Sequence, residues 1–164
     1  MKTRAILAVA VIGAAYAALT LAFAPIAYGP IQFRISEALC VLPFFLPISS
    51  VGLAVGCVIA NIFSPAPSML DIVFGPLATL LAGFATASIK RKWLAPLPPV
   101  IFNGVIVGAV LAYTYFTDVF WSALPIVALQ VAFGEVVVLY ALGLPLIIAI
   151  QKNDTLKSLL TVHK

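Results

Sequence analysis

Few side chains in the long apolar stretches of this sequence can do chemistry, and those few are polar or ionisable. They are Arg34, Glu37, Asn61, Asp71, Gln130 and Glu135. A carboxylate can accept hydrogen bonds from two adjacent N–H groups of a ligand. These six residues therefore favour binding of a small polar molecule. The patterns GxSxG, HExxH and GxxxxGK[ST] are absent, and the only histidine, His163, lies in a polar tail. The sequence therefore favours binding over catalysis.

The composition excludes an ordinary soluble domain. Of 164 residues, 64% are hydrophobic and 9% charged, against about 25% charged in soluble domains. Backbone groups in hydrocarbon must bond to one another, and long uncharged runs favour helices, so an all-α integral membrane protein is predicted. The basic residues flank apolar runs and form no stripe with aromatics, which excludes a nucleic-acid partner. Cys40 and Cys57 form no CxxC or Cys/His group, so no metal site is predicted.

The basic residues set the predicted topology. They gather at 2–4, 90–92 and 152–164, and the positive-inside rule places all three groups in the cytosol. The uncharged run 38–70 must then cross twice, with a turn at the prolines and serines of 43–50. Six transmembrane helices are predicted in one membrane domain of residues 1–164, at about 5–24, 36–46, 51–63, 70–89, 99–116 and 122–150. Both termini are then cytosolic.

The first predicted helix could be a membrane span or a signal peptide, because both have a basic start followed by an apolar run. Its 20 uncharged residues, 5–24, exceed the apolar core of about 7–15 residues in signal peptides and suffice to span a bilayer. We interpret it as the first span of a multi-pass protein of the plasma membrane.

Five of the six polar candidates also have a structural explanation, and the sequence leaves the choice open. Glu135 lies about 20 Å along its helix, near mid-membrane, where a charge costs about 2.5–3.5 kcal/mol. It is either a ligand contact or a neutral carboxyl bonded to another helix. Arg34 and Glu37 can pair with each other at a spacing of three residues. Asp71 can cap a helix, and Asn61 can serve helix packing.

Small residues repeat along the first predicted helix. Ala10, Ala14 and Ala18 recur at every fourth position, with Gly13 and Ala17 alongside. Small residues on one face let another helix approach closely, either within this chain or from a partner membrane protein.

Short stretches along nearly the whole chain carry a resemblance to a known family. They are 28–39 (YGPIQFRISEAL), 42–43 (LP), Gly52, 56–57 (GC), 59–61 (IAN), 71–75 (DIVFG) and 78–80 (ATL). Together with six spans, the alanine repeat and the missing ATPase motif, they make the chain resemble the S components of energy-coupling factor (ECF) transporters, and among them the QueT family. The resemblance implies an S-component bundle that binds a queuosine precursor, 7-aminomethyl-7-deazaguanine.

The resemblance also implies partners. A transmembrane coupling protein and two ATPase subunits would bind the alanine repeat and hydrolyse ATP, so the chain itself needs no cofactor. Loops 25–33 and 64–70 would cover a site in the outer half of the membrane.

The implied ligand matches the polar candidates. Its adjacent N–H donors and its aminomethyl cation suit carboxylates, and its flat ring suits aromatic side chains. The predicted substrate-binding residues are Glu135, Asp71, Glu37, Arg34, Asn61, Gln130, Phe33, Phe74 and Tyr28. Two other functions stay open: an S component for another vitamin or nucleobase, and an assembly subunit of a membrane complex that binds no ligand.

Overall fold

A computed structural model describes residues 2–28 and 31–160 of this chain. Gly29 and Pro30 of the first predicted loop, and His163 and Lys164 near the end, lie outside the described residues. The described part is helical and contains no strand, which confirms the prediction of an all-α protein. Its main helices are α1 (Lys2–Ala22), α2 (Ala24–Ala27), a 3₁₀ helix (Ile35–Phe44), α3 (Ser49–Ile62), α4 (Met69–Ala87), α5 (97–115), α6 (120–152) and α7 (Asp154–Leu160).

Helices α5 and α6 each contain one π-helical turn. In α5, the turn Asn103–Val107 separates Leu97–Phe102 from Gly108–Tyr115. In α6, the turn Leu139–Gly143 separates Phe120–Val138 from Leu144–Lys152. Such turns insert one residue into an α-helix and are frequent at functional sites. The apolar sequence pattern gave no sign of either turn.

Four helices are long and apolar enough to cross a membrane. They cover Ala5–Ala22, Met69–Ala87, Lys92–Tyr115 and Thr117–Lys152. The two helices predicted from the run 38–70, called here the hairpin, are present but shorter, at Ile35–Phe44 and Ser49–Ile62. Side chains such as Met69, Leu129 and Trp121 are 71% to 82% exposed, as expected of an outer surface that contacts lipid.

The first member of the hairpin is a 3₁₀ helix, where the sequence predicted an ordinary helix at 36–46. A 3₁₀ helix rises about 2.0 Å per residue against 1.5 Å for an α-helix, so ten residues reach about 20 Å. The turn at Pro47 and Ile48 is closed by two hydroxyl groups. Ser49 donates to the Leu46 carbonyl at 2.6 Å, and Ser50 donates to the Pro47 carbonyl at 2.8 Å.

The helices alternate in direction, because Gly83 near the end of α4 lies against Ser50 at the start of α3, and Gly108 of α5 lies against Ala128 of α6. The chain therefore has two distinct ends. The turn 47–48, the basic segment 90–92 and Lys152 lie at one end, called here the basic end. The connections 23–28, 63–68 and 116–119 lie at the other, called the loop end. A hydrogen bond of 2.6 Å from the Tyr28 hydroxyl to the Ala60 carbonyl holds the first of these connections against α3.

Helices α1 and α3 pack through glycines. A Cβ atom built on Gly13 would lie 2.6 Å from the Gly52 carbonyl oxygen, and one on Gly52 would overlap the Val9 carbonyl. Tyr16 is fully buried beside this contact. The absence of side chains at these positions lets the two backbones approach closely, as in other membrane helix pairs.

Gly52→Ala should destabilise the protein at this contact. The added methyl meets backbone, which cannot move as a flexible side chain can, so we expect a loss near or above the upper end of the range of about 1–3 kcal/mol for overpacking. Thermal unfolding in detergent measures it. Val55→Ala on the exposed side of α3 is the control, with a change of about 0.5 kcal/mol or less. Equal unfolding temperatures for both variants would contradict the close packing.

Candidate functional site

Four of the predicted site residues carry buried polar atoms that have no hydrogen-bond partner. These atoms are Arg34 Nε and Nη2, Asn61 Oδ1, Asp71 Oδ1 and Glu135 Oε2. An unpaired buried polar group costs about 1–3 kcal/mol, and most such groups in proteins are satisfied. Their concentration in residues singled out by the sequence is the first sign of a binding site.

Asn61 and Asp71 form one unit where α3 faces α4. The Asn61 Nδ2 donates to the Asp71 backbone carbonyl at 2.8 Å. A Cβ atom on Gly75 would lie 2.7 Å from Asn61 Nδ2 and 3.3 Å from Asp71 Oδ1, so only glycine leaves room for both side chains there. Asn61 therefore packs α3 against α4, as its structural explanation required, yet its Oδ1 stays unpaired. Ser68, the residue before α4, makes no side-chain capping bond, and Asp71 Oδ1 has no partner.

Arg34 and Glu37 do not hydrogen-bond to each other. Glu37 accepts from the Tyr16 hydroxyl and from the Cys40 thiol, the latter at 2.9 Å. Arg34 Nη1 donates to the Cys57 sulfur at 3.8 Å, which leaves Nε and Nη2 unpaired. Glu37 thus links α1 to the 3₁₀ helix, and Arg34 is left with free donors.

Arg34 also lies against an aromatic ring. Its Cζ atom is 5.3 Å from the centre of the Tyr28 ring, within range of a cation–π contact. Burial raises the pKa of Tyr28 above its ordinary value, so its hydroxyl stays protonated at neutral pH and donates to Ala60. Tyr28 is held at both its hydroxyl and its ring.

Glu135 is buried and bonded to a neighbouring helix. Its Oε1 accepts from Asn103 Nδ2 at 2.8 Å, and Asn103 begins the π-helical turn of α5. The structural explanation for Glu135 thus accounts for one oxygen, while Oε2 has no partner. Asn103 is a residue that the sequence analysis did not place in the site, because its partner lies 32 positions away on another helix.

A cavity of about 600 Å³ opens at the loop end. It brings together three predicted site residues, Tyr28, Asp71 and Gln130. The remaining lining residues are Gln32, Ser64, Pro65, Ala66, Ser68, Val110, Leu111, Thr114, Tyr115, Phe116 and Val127. Asp71 belongs both to the cavity wall and to the buried polar cluster formed by Arg34, Glu37, Asn61, Asp71 and Glu135. Tyr28 of the wall lies against Arg34 of that cluster.

Other predicted residues lie off the cavity wall. Glu37, Arg34, Asn61 and Glu135 are in the polar cluster and do not line the cavity. Phe33 is half-buried and packs edge-on against Phe133, with ring centres 6.4 Å apart.

Phe74 does not line the cavity, and 40% of its surface is exposed. That placement suits lipid contact better than ligand stacking. Gln32, a neighbour of Phe33 that the sequence analysis passed over, does line the cavity. A polar side chain in the predicted outer loop was the available signal for it.

The repeat of small residues on α1 divides between two faces. Ala10, Ala14 and Ala18 are exposed and form what is called here the alanine face. Gly13 and Ala17 are buried in the protein. The prediction that Gly13 and Ala17 bind a partner is therefore wrong, because the inner side of α1 is already covered within this chain.

Comparison with known proteins decides the family. Residues 6–152 match the family model described as QueT transporter. This chain belongs to the QueT transporter family. The family model is described as a transporter, and four helices of this chain are long and apolar enough to cross a membrane.

A relative of known name supports the QueT assignment. The chain is 38% identical over 82 residues to the "Queuosine precursor transporter QueT" of Lactococcus lactis subsp. cremoris (strain MG1363). The match covers 49% of this chain and 47% of that protein, so the chain spans about half the length of the relative it matches. No solved structure matches this QueT family member.

Proposed function

We propose that this chain is the substrate-binding subunit of an importer for a queuosine precursor. The observation that carries the proposal is the cavity of about 600 Å³ whose wall shares Asp71 with the buried polar cluster and includes Tyr28, which lies against Arg34. That volume falls within the range of about 300–1,000 Å³ usual for small-molecule sites. Of the five unpaired buried atoms, Asp71 Oδ1 belongs to a residue of the cavity wall. The other four add donors and acceptors in the cluster that includes Asp71.

The chemistry of the cluster fits 7-aminomethyl-7-deazaguanine. Its ring edge carries adjacent N–H donors, which the free oxygens of Asp71 and Asn61 can accept. Its aminomethyl cation needs a carboxylate, and Glu135 has one free oxygen. Tyr28 offers an aromatic ring at the cavity wall. The name of the Lactococcus relative points to the same class of ligand.

Glu135→Gln tests whether Glu135 contacts the ligand. The amide keeps the oxygen that accepts from Asn103 and replaces the free oxygen with an N–H donor. Affinity should fall at least about thirtyfold, because loss of a buried charge-assisted pair costs about 2–5 kcal/mol. Stability without ligand should stay equal or rise, since an uncompensated buried acid is removed. Normal affinity with lowered stability would make Glu135 a packing residue only.

The chain would import its ligand as the S component of an ECF transporter. Its sequence contains no GxxxxGK[ST] phosphate loop, so ATP hydrolysis would come from two ATPase subunits joined by a transmembrane coupling protein. The exposed alanine face offers a smooth surface for that coupling protein. The connections 23–28 and 63–68 lie at the cavity end of the bundle, where they can cover a bound ligand.

We also propose that the chain crosses the membrane six times with both termini in the cytosol. Alternating helix directions place the basic residues of 90–92 and Lys152 at one end and Asp118 at the other, in agreement with the positive-inside rule. In a variant without Cys40 and Cys57, an impermeant thiol reagent applied outside cells should label a cysteine at position 118 and miss one at 91. The reverse labelling would overturn the orientation.

Ligand-dependent stabilisation tests the binding function. With 7-aminomethyl-7-deazaguanine at 100 times its Kd, a binding protein gains about 2.7 kcal/mol, visible as a higher unfolding temperature in detergent. Stabilisation by a vitamin or another nucleobase, and not by this ligand, would indicate a different S component. Stabilisation by none of them would favour an assembly subunit without a ligand.

A further inference from the structure

Arg34 carries an unused two-pronged donor. In a guanidinium group, the hydrogen on Nε and one hydrogen on Nη2 point to the same side. These two parallel donors, called here the fork, have a fixed geometry. Arg34 is 5% exposed, and neither of these nitrogens has a partner. The third nitrogen, Nη1, is held by the Cys57 sulfur at 3.8 Å, so the guanidinium is anchored while its fork stays free.

Two residues with free acceptors, Asn61 and Asp71, lie near the same sulfur atom. Asn61 Nδ2 lies 3.7 Å from Cys57 Sγ, and a Cβ atom on Gly75 would lie 3.7 Å from that sulfur and 3.3 Å from Asp71 Oδ1. The unpaired oxygens of Asn61 and Asp71 and the unpaired fork of Arg34 therefore belong to one small region. Such a region complements a ligand edge on which an acceptor stands beside donors.

We propose that Arg34 is the specificity-determining residue for a ring carbonyl of the ligand, an inference that rests on the proposed function. Its fork donates to the 6-oxo oxygen, while Asp71 and Asn61 accept from the neighbouring N–H groups. A 6-amino ring would bring donors against the Arg34 donors, and sites built for a hydrogen bond strongly reject ligands that leave buried groups unpaired.

Replacing the ring oxygen by sulfur tests this role directly. The 6-thio analogue of 7-aminomethyl-7-deazaguanine keeps every N–H donor and replaces the acceptor by a weaker and larger one. Wild-type protein should bind the oxo ligand at least about tenfold more tightly than the thio ligand. Arg34→Met should lower affinity for the oxo ligand about tenfold to a hundredfold and reduce the preference to about twofold or less.

Two further variants distinguish the role of Arg34 in ligand binding from nonspecific effects of a substitution. Arg91→Met, in the basic segment, should keep both the affinity and the oxo preference. If Arg34→Met does not fold, Arg34→Lys replaces it, because lysine keeps the buried charge and lacks the fork. Its oxo preference should be about threefold or less, since a single point donor replaces two aligned ones.

The outcomes distinguish the inference from the proposed function. Wild-type binding without an oxo preference, or a preference that persists in both Arg34 variants, overturns the role of Arg34 and leaves the binding function standing. Folded wild-type protein that binds neither ligand overturns the proposed function and this inference together.

Discussion

Asp71→Asn should lower the affinity for 7-aminomethyl-7-deazaguanine by at least about thirtyfold. Asp71 is the ionisable residue that belongs both to the cavity wall and to the polar cluster, and its Oδ1 has no partner. The asparagine amide replaces one acceptor with a donor, which would face the N–H donors of the ligand. Breaking a buried charge-assisted pair costs about 2–5 kcal/mol, or about thirtyfold and more in affinity.

Asp118→Asn is the matched control for Asp71→Asn. Asp118 is exposed in the short turn before α6, so its replacement should leave affinity within about twofold. Isothermal titration of both purified variants gives the comparison. The folded state of Asp71→Asn should persist, because the bond from Asn61 goes to the Asp71 backbone and not to its side chain. Wild-type affinity in Asp71→Asn would show that the ligand does not bind at the cavity wall that Asp71 lines.

Ala14→Trp should abolish uptake of the ligand and leave binding by the isolated chain nearly intact. Ala14 lies in the middle of the exposed alanine face, away from the cavity at the loop end. A large side chain there prevents the close helix approach that small residues permit. The ligand site should stay unchanged, because Ala14 points away from the contact between α1 and α3.

Ile101→Trp on α5 is the control for Ala14→Trp. Ile101 is 58% exposed and outside the alanine face, so co-purification with the coupling protein and uptake should continue. Pull-down of the coupling protein and uptake of labelled ligand are the two measurements. Loss of binding in Ala14→Trp would place α1 within the ligand site, and normal uptake would remove the alanine face as the docking surface.

The long helices and the hairpin could be predicted because they depend on local sequence. Uncharged runs and basic flanks locate α4, α5 and α6, and the prolines and serines of 43–50 locate the turn. The 3₁₀ form of Ile35–Phe44 and the two π-helical turns could not be predicted, since they depend on packing that hydropathy does not describe. The burial of Gly13 and Ala17 depends likewise on which face of α1 meets α3.

The residue types of the site could be predicted, but their arrangement could not. A polar side chain in an apolar run is conspicuous in any sequence, which is why Arg34, Asp71 and Glu135 were found. The bond from Asn103 to Glu135 spans 32 positions, and no local pattern records it. Phe74 had the right chemistry for stacking, yet the rotation of α4 turns it outward.

Direct binding to the purified chain is the most decisive measurement. Equilibrium dialysis with labelled 7-aminomethyl-7-deazaguanine should give saturable binding of one ligand per chain. Asp71→Asn should shift the binding curve at least about thirtyfold, and Asp118→Asn should not shift it. Folded wild-type protein that shows no saturable binding, or identical curves for wild type and Asp71→Asn, would contradict a ligand site built around the cavity and its buried polar cluster.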